Sequence, residues 1–180
     1  MAEIEAPNLL IIENFLDTHW VIFKKLLSTV KWDDSMSARK TASFGVPYNY
    51  VQMSYKKAPM HPLLLPIQDK LLIQLGVKFN NCLLNYYETG NNKMGFHSDD
   101  TSALQAGTGV AIVSLGHCRK ITYRNKKNKN IRHIFTLSPG SLLYMDNSVQ
   151  NEWVHAINKQ KGADSRISLT WRAFSINEFD

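Results

Sequence analysis

Arg166-Ile167-Ser168-Leu169-Thr170-Trp171-Arg172, near the end of the chain, alternates strictly between polar and apolar side chains. A period of two marks a β-strand, whose successive side chains point to opposite faces. Ile167, Leu169 and Trp171 give one face enough apolar bulk to be buried. The other face carries two guanidiniums with two hydroxyls between them. A buried arginine is expensive to desolvate unless an anion answers it. That face is therefore either an edge turned to water or the wall of an anion pocket, and paired guanidiniums suit a dicarboxylate.

Working backward from this strand, the second half of the chain is built of similar pieces. Apolar or alternating runs at 82–87, 110–115, 120–124, 133–137, 141–145 and 166–174 are separated by turn formers such as Glu88-Thr89-Gly90-Asn91-Asn92 and Ser138-Pro139-Gly140. The first half reads differently. Residues 9–12 predict a short strand. Asp17-Thr18 predicts the N-cap of a helix to Val30, with Trp20, Phe23, Leu26, Leu27 and Val30 on its buried face. A second helix is expected from Pro62 to Leu75, with Leu64, Ile67, Leu71 and Leu75 inward and Gly76 as its stop. Two helices followed by six to eight short strands predict an α+β, mainly β fold, an antiparallel jelly roll backed by two N-terminal helices.

No repeat or low-complexity linker divides the 180 residues, which suit a single domain over 1–180. Hydrophobic residues at 44% and charged residues at 20% are ordinary for a globular protein, and no apolar run is long enough to span a bilayer. Met1-Ala2-Glu3-Ile4-Glu5 lacks the basic-then-apolar pattern of a secretory signal, and Cys82 and Cys118 are read as reduced thiols. A cytoplasmic monomer without membrane attachment is expected. The formal net charge of +6 is compatible with a polyanionic partner but does not require one.

His97-Ser98-Asp99 stands at a predicted strand end, where residues two apart share a side and can face one metal. His155, in a turn-rich segment after a strand, offers a second imidazole. Two histidines and one carboxylate suit non-haem Fe(II) and leave coordination positions open for a cosubstrate and O2. His19, His61, His117 and His133 are read as structural.

Asn85-Tyr86-Tyr87, His97-Ser98-Asp99-Asp100, His155 and Arg166-x-Ser168-x-Thr170-x-Arg172, in that order, resemble the AlkB family of iron/2-oxoglutarate oxygenases, its nucleic-acid dealkylases most of all. The similarity runs from about Arg39 to Phe174 and takes in Val113-Ser114-Leu115-Gly116 and Pro139-Gly140-Ser141-Leu142-Leu143. It implies a double-stranded β-helix, the jelly roll expected above. It implies that His97, Asp99 and His155 bind Fe(II). Asn85 and Arg172 would contact the C1-carboxylate end of 2-oxoglutarate, while Tyr87, Arg166 and Ser168 would hold the C5-carboxylate end. The implied reaction consumes O2 and 2-oxoglutarate, releases succinate and CO2, and removes an N-methyl group as formaldehyde.

For the substrate, Arg39-Lys40-Thr41-Ala42-Ser43-Phe44-Gly45 resembles the opening of the family's lid, expected over about 35–56. Tyr48 and Tyr50 follow in a Pro/Asn-rich loop as aromatics able to stack on a flipped base, and Asp100 is a candidate partner for the base or for Arg39. Seven cations between 119 and 132 (Arg119, Lys120, Arg124, Lys126, Lys127, Lys129 and Arg132) form a basic hairpin that either grips phosphates or is simply solvated. Three departures from the close dealkylases weigh against a duplex substrate. Thr101 stands where an acidic residue is usual, Val51-Gln52-Met53-Ser54 replaces an aromatic-Ser-Gly sequence, and residues 32–37 show no apolar finger. The expected partner is alkylated nucleic acid, single-stranded in preference to duplex. The alternative is a hydroxylase of a small molecule, nucleoside or peptide on the same scaffold.

Overall fold

A computed structural model describes residues 6–50 and 53–175, with the backbone alone at 48–50 and 53. A six-stranded sheet is formed by β1 (Leu9–Ile12), β2 (Lys40–Gly45), β5 (Asn81–Tyr87), β7 (Val110–Gly116), β10 (Leu142–Met145) and β12 (Arg166–Arg172), in the order β1-β10-β7-β12-β5-β2. A four-stranded sheet has the order β6-β11-β8-β9, from β6 (Met94–His97), β8 (Arg119–Asn125), β9 (Arg132–Leu137) and β11 (Trp153–Ile157). A separate hairpin pairs β3 (Tyr48–Tyr50) with β4 (Met53–Tyr55). Every strand pairing is antiparallel. This is the helix-backed jelly roll that the strand pattern predicts.

The period-two reading of β12 explains where the layers lie. Ile167, Leu169 and Trp171 join a cluster with Phe23 and Leu26 of α1 (His19–Thr29) and Ile67 and Leu71 of α2 (Leu65–Leu75), so both helices cover the back of the large sheet. Full burial of each such side chain is worth about 1.5–3 kcal/mol. A second apolar cluster, containing Val110, Ile112, Ile121, Tyr123, Leu143 and Trp153, fills the space between the sheets. All seven residues of β12 are buried and the strand is flanked by β7 and β5. It is a central strand and not an edge turned to water.

Several boundaries differ from the sequence reading. Thr18 makes no side-chain capping bond, and Trp20 is 42% exposed with its ring edge-on to His117 at 5.4 Å. α2 starts at Leu65, since residues 62–64 form a turn ahead of it, and ends as expected at Gly76. Gly76 adopts φ 68°, the left-handed conformation that favours glycine. Within the expected lid, Lys40–Gly45 is laddered to β5 at the edge of the large sheet. Tyr48 and Tyr50 lie on a short strand and not in a loop, because Tyr-x-Tyr pairs with Met53–Tyr55; their side chains fall outside the described residues. His155 is not in a turn. The helix α3 (Asn147–Glu152) consumes the turn-forming residues and delivers His155 into the middle of β11. Among the described residues no helix is long and apolar enough to cross a membrane.

Candidate metal centre

The cavity between the sheets has two walls with different charges on them. On the small sheet, His155 of β11 stands directly across from His97 of β6, with ring centroids 4.4 Å apart. Asp99 lies two residues past the end of β6 in irregular backbone and turns into the cavity. Ligand atoms of His97, Asp99 and His155 all lie within 4.8 Å of one another, close enough to share one ion. His97 Nδ1 is 2.9 Å from the Gly95 carbonyl, so a proton there leaves Nε2 as the free electron pair.

The electrostatics suit a cation. Burial alone would raise the Asp99 carboxyl, but Arg172, His155 and His97 outweigh it and hold it well below the usual carboxylate range. Arg172 donates to Asp99 Oδ1, and Gln150 Nε2 donates to Oδ2 at 3.2 Å. Burial pushes the His155 imidazole down to about 4 against the opposing pull of Asp99, so it is neutral at pH 7. An ionised carboxylate and two imidazoles form the nitrogen and oxygen donor set that fits Fe(II).

The large sheet supplies the other wall. The ladder sets Arg166 opposite Tyr87 and Ser168 opposite Asn85, while on its other side β12 sets Ser168 opposite Ser114. Arg166 is buried; burial pushes its guanidinium down to about 10, still charged at pH 7. Its Nη2 donates to Ser114 Oγ at 3.0 Å, whereas Nε and Nη1 are buried without a partner. No acid faces it among the described salt bridges. An unanswered cation in a cavity walled by Ile112, Ile121 and Leu137 fits the far carboxylate of a diacid whose other end reaches the metal ligands.

The remaining expected residues divide. Asn85 accepts from Arg39 Nε at 2.7 Å, and Ser168 Oγ is 3.4 Å from Thr170 Oγ1, both within the cavity lining. Arg39 is buried against Asn85 and does not meet Asp100, which is exposed and instead accepts from the Ser102 N–H at 2.9 Å. A two-residue turn of this kind satisfies the aspartate locally. The basic hairpin is less available than its sequence suggests. Arg119 is buried, donating to the carbonyls of Thr89, Asn92 and Asn158. Arg124 stacks on Phe96 at 4.0 Å and Lys126 Nζ donates to the Gln150 carbonyl. Lys120, Lys127, Lys129 and Arg132 remain exposed.

A family profile described as "2OG-Fe(II) oxygenase superfamily" matches residues 15–172. The chain belongs to that superfamily. Within it, the chain is 30% identical over 145 residues to the DNA oxidative demethylase ALKBH2 of Bos taurus, covering 74% of this chain and 52% of that protein. It is 31% identical over 151 residues to the DNA oxidative demethylase ALKBH2 of Homo sapiens, covering 78% and 58%. The alpha-ketoglutarate-dependent dioxygenase alkB homolog 3 of Bos taurus is 29% identical over 171 residues, covering 84% and 60%. The chain thus spans between half and two thirds of the length of these relatives. The structure of OsALKBH1 superposes with a TM-score of 0.69 at 16% identity, over 94% of this chain and 100% of that one, a likeness of fold.

Three residues that hold this site carry little sign of it in sequence. Ser114 lies inside Val113-Ser114-Leu115-Gly116, a motif that by itself assigns it no role. Arg119 reads as one cation of the basic hairpin, yet it is buried with its guanidinium carbon 5.4 Å from the centre of the Tyr87 ring. Gln150 carries no motif; the only hint is the Asp146-Asn147-Ser148 capping signal just ahead of His155.

Proposed function

We propose that this chain is an Fe(II)- and 2-oxoglutarate-dependent oxygenase that removes N-alkyl groups from nucleobases, in single strands in preference to duplexes. The observation that carries the reading is the pairing, in one cavity, of a two-histidine, one-carboxylate cluster with a buried arginine that has no acid of its own.

His97, Asp99 and His155 would hold the iron. Arg172 offsets the Asp99 charge, so that carboxylate stays ionised at a buried position. Arg166, oriented by Ser114 and by the Tyr87 ring 5.6 Å from its guanidinium carbon, would receive the far carboxylate of 2-oxoglutarate. Leu83, Met94 and Ile157 complete the apolar part of the cavity wall. With both groups bound, the site oxidises an N-methyl carbon to hydroxymethyl using O2, converting 2-oxoglutarate to succinate and CO2. The hydroxymethyl product then loses formaldehyde and leaves the unmethylated base.

Two observations support a nucleic-acid substrate of single-strand type. The ALKBH2 relatives are named as DNA oxidative demethylases. The segment ahead of Arg39 has no exposed apolar wedge: Trp32, its one large ring, packs on Tyr86 at 5.2 Å. Without a wedge, a base that is already unstacked is the easier substrate. Formaldehyde and succinate release from single-stranded and duplex oligonucleotides carrying 1-methyladenine or 3-methylcytosine tests the reading. Turnover of the single strands is expected. Succinate formed with a metabolite but with no oligonucleotide would overturn it.

A further inference from the structure

Asp99 is the one member of the metal cluster that no strand holds. His97 ends β6 and His155 lies inside β11, so ladder hydrogen bonds fix the main chain that carries each imidazole. Asp99 is in irregular backbone beyond β6, where a carboxylate is free to turn unless something clamps it. The clamp is Gln150. The Asp99 N–H donates to Gln150 Oε1 at 2.8 Å, and Gln150 Nε2 donates to Asp99 Oδ2 at 3.2 Å. One side-chain amide thus fixes both the main chain and the carboxylate of the same residue.

The amide is itself well anchored. Gln150 is buried, and its helix α3 is capped by Asp146, whose Oδ1 accepts from the Ser148 and Val149 N–H groups. Lys126 Nζ donates to the Gln150 carbonyl at 2.7 Å, tying the helix to the β8–β9 hairpin. α3 then runs directly into β11. The segment that carries His155 therefore also carries the grip on Asp99.

We propose that Gln150 is a positioning residue for the metal centre, holding Asp99 in a ligating orientation before the ion arrives. This rests on the reading of His97, Asp99 and His155 as a metal site. Arg172 takes Oδ1 and Gln150 takes Oδ2, yet a carboxylate has about four acceptor positions, so both bonds leave room for an ion. Without the amide, ordering Asp99 becomes part of the cost of binding, and affinity falls.

The test is Co(II) binding to the metal-free full chain, followed by visible absorption and by calorimetry. Gln150→Met, which keeps the length and removes both hydrogen bonds, should weaken Co(II) binding about 10–100-fold, as loss of a group orienting a metal ligand usually does. Gln150→Asn, polar and too short to make both bonds, should weaken it in the same direction and serves if the Met variant does not fold. Asn151→Ala, on the exposed side of the same helix, should bind as the parent does. Thermal unfolding of each metal-free variant separates a merely structural role. A folded Gln150 variant with lowered thermal stability but parental Co(II) affinity overturns the proposal and leaves the metal reading intact. A parent chain that binds no Co(II) overturns both.

Discussion

The two ends of β12 carry the same side chain in opposite circumstances. Arg172 is buried and donates to Asp99, whose charge answers its own. Arg166 is as deeply buried on the same face of the same strand, but it donates to a serine hydroxyl, and among the described ion pairs no acid answers its charge. A fold tolerates a buried ion pair at modest net cost, while an unpaired buried charge is a standing liability of several kcal/mol. The Arg172 end is therefore satisfied within the fold itself. The Arg166 end makes sense when an anion arrives.

Five perturbations probe that contrast and the site around it. His97→Ala should abolish turnover by removing one of three metal ligands, with metal content after reconstitution as the check; substantial turnover would remove the metal centre from the account. Arg172→Met should destabilise the ligand-free protein by about 3–5 kcal/mol, because it strands the Asp99 carboxylate without its countercharge; denaturant unfolding measures this. Arg166→Met should do the reverse. It should leave the ligand-free protein as stable as the parent or more so, while weakening 2-oxoglutarate binding about 100-fold, the scale for truncating one side of a buried charge pair. Equal destabilisation by the two arginine variants would break the contrast. Addition of 2-oxoglutarate should raise the unfolding temperature of the metal-loaded parent and not that of Arg166→Met. The smallest effect belongs to the surface. Charge reversal at Lys127 or Lys129 should lower oligonucleotide affinity only a few-fold and reduce its salt dependence by about one unit of slope.

What the sequence reveals of this architecture depends on how each residue is held. β12 is legible because its two faces meet different surroundings, an apolar core on one side and a polar cavity on the other, and that difference imposes the period-two pattern seen at 166–172. β5 is legible as a short run rich in strand-forming residues between turn formers. His97, Asp99 and His155 are legible because only a few residue types bind metal. β6 is legible only at its end, through His97, because four residues with a glycine among them carry no pattern of their own. β2 is hidden because Lys40, Thr41 and Ser43 are polar residues on an edge strand, where the ladder and not hydrophobic burial decides the conformation. The fates of Arg119 and Gln150 are set by long-range partners. Nothing local distinguishes an arginine that will meet three carbonyls from one that will meet water, and nothing in residues 146–152 announces that an amide there will reach Asp99.

The burial of four arginines separates what a distant partner senses from what it can touch. Arg39, Arg119, Arg166 and Arg172 lie inside, together with Asp99, and these five account for half of the formal +6. Sunken charges still add to the field of the whole molecule, so attraction from afar reflects the full net charge. They form no contact with an anion on the exterior, and each such contact is what displaces a bound counterion. The salt dependence of polyanion binding should therefore count the exposed cations and not the formal charge.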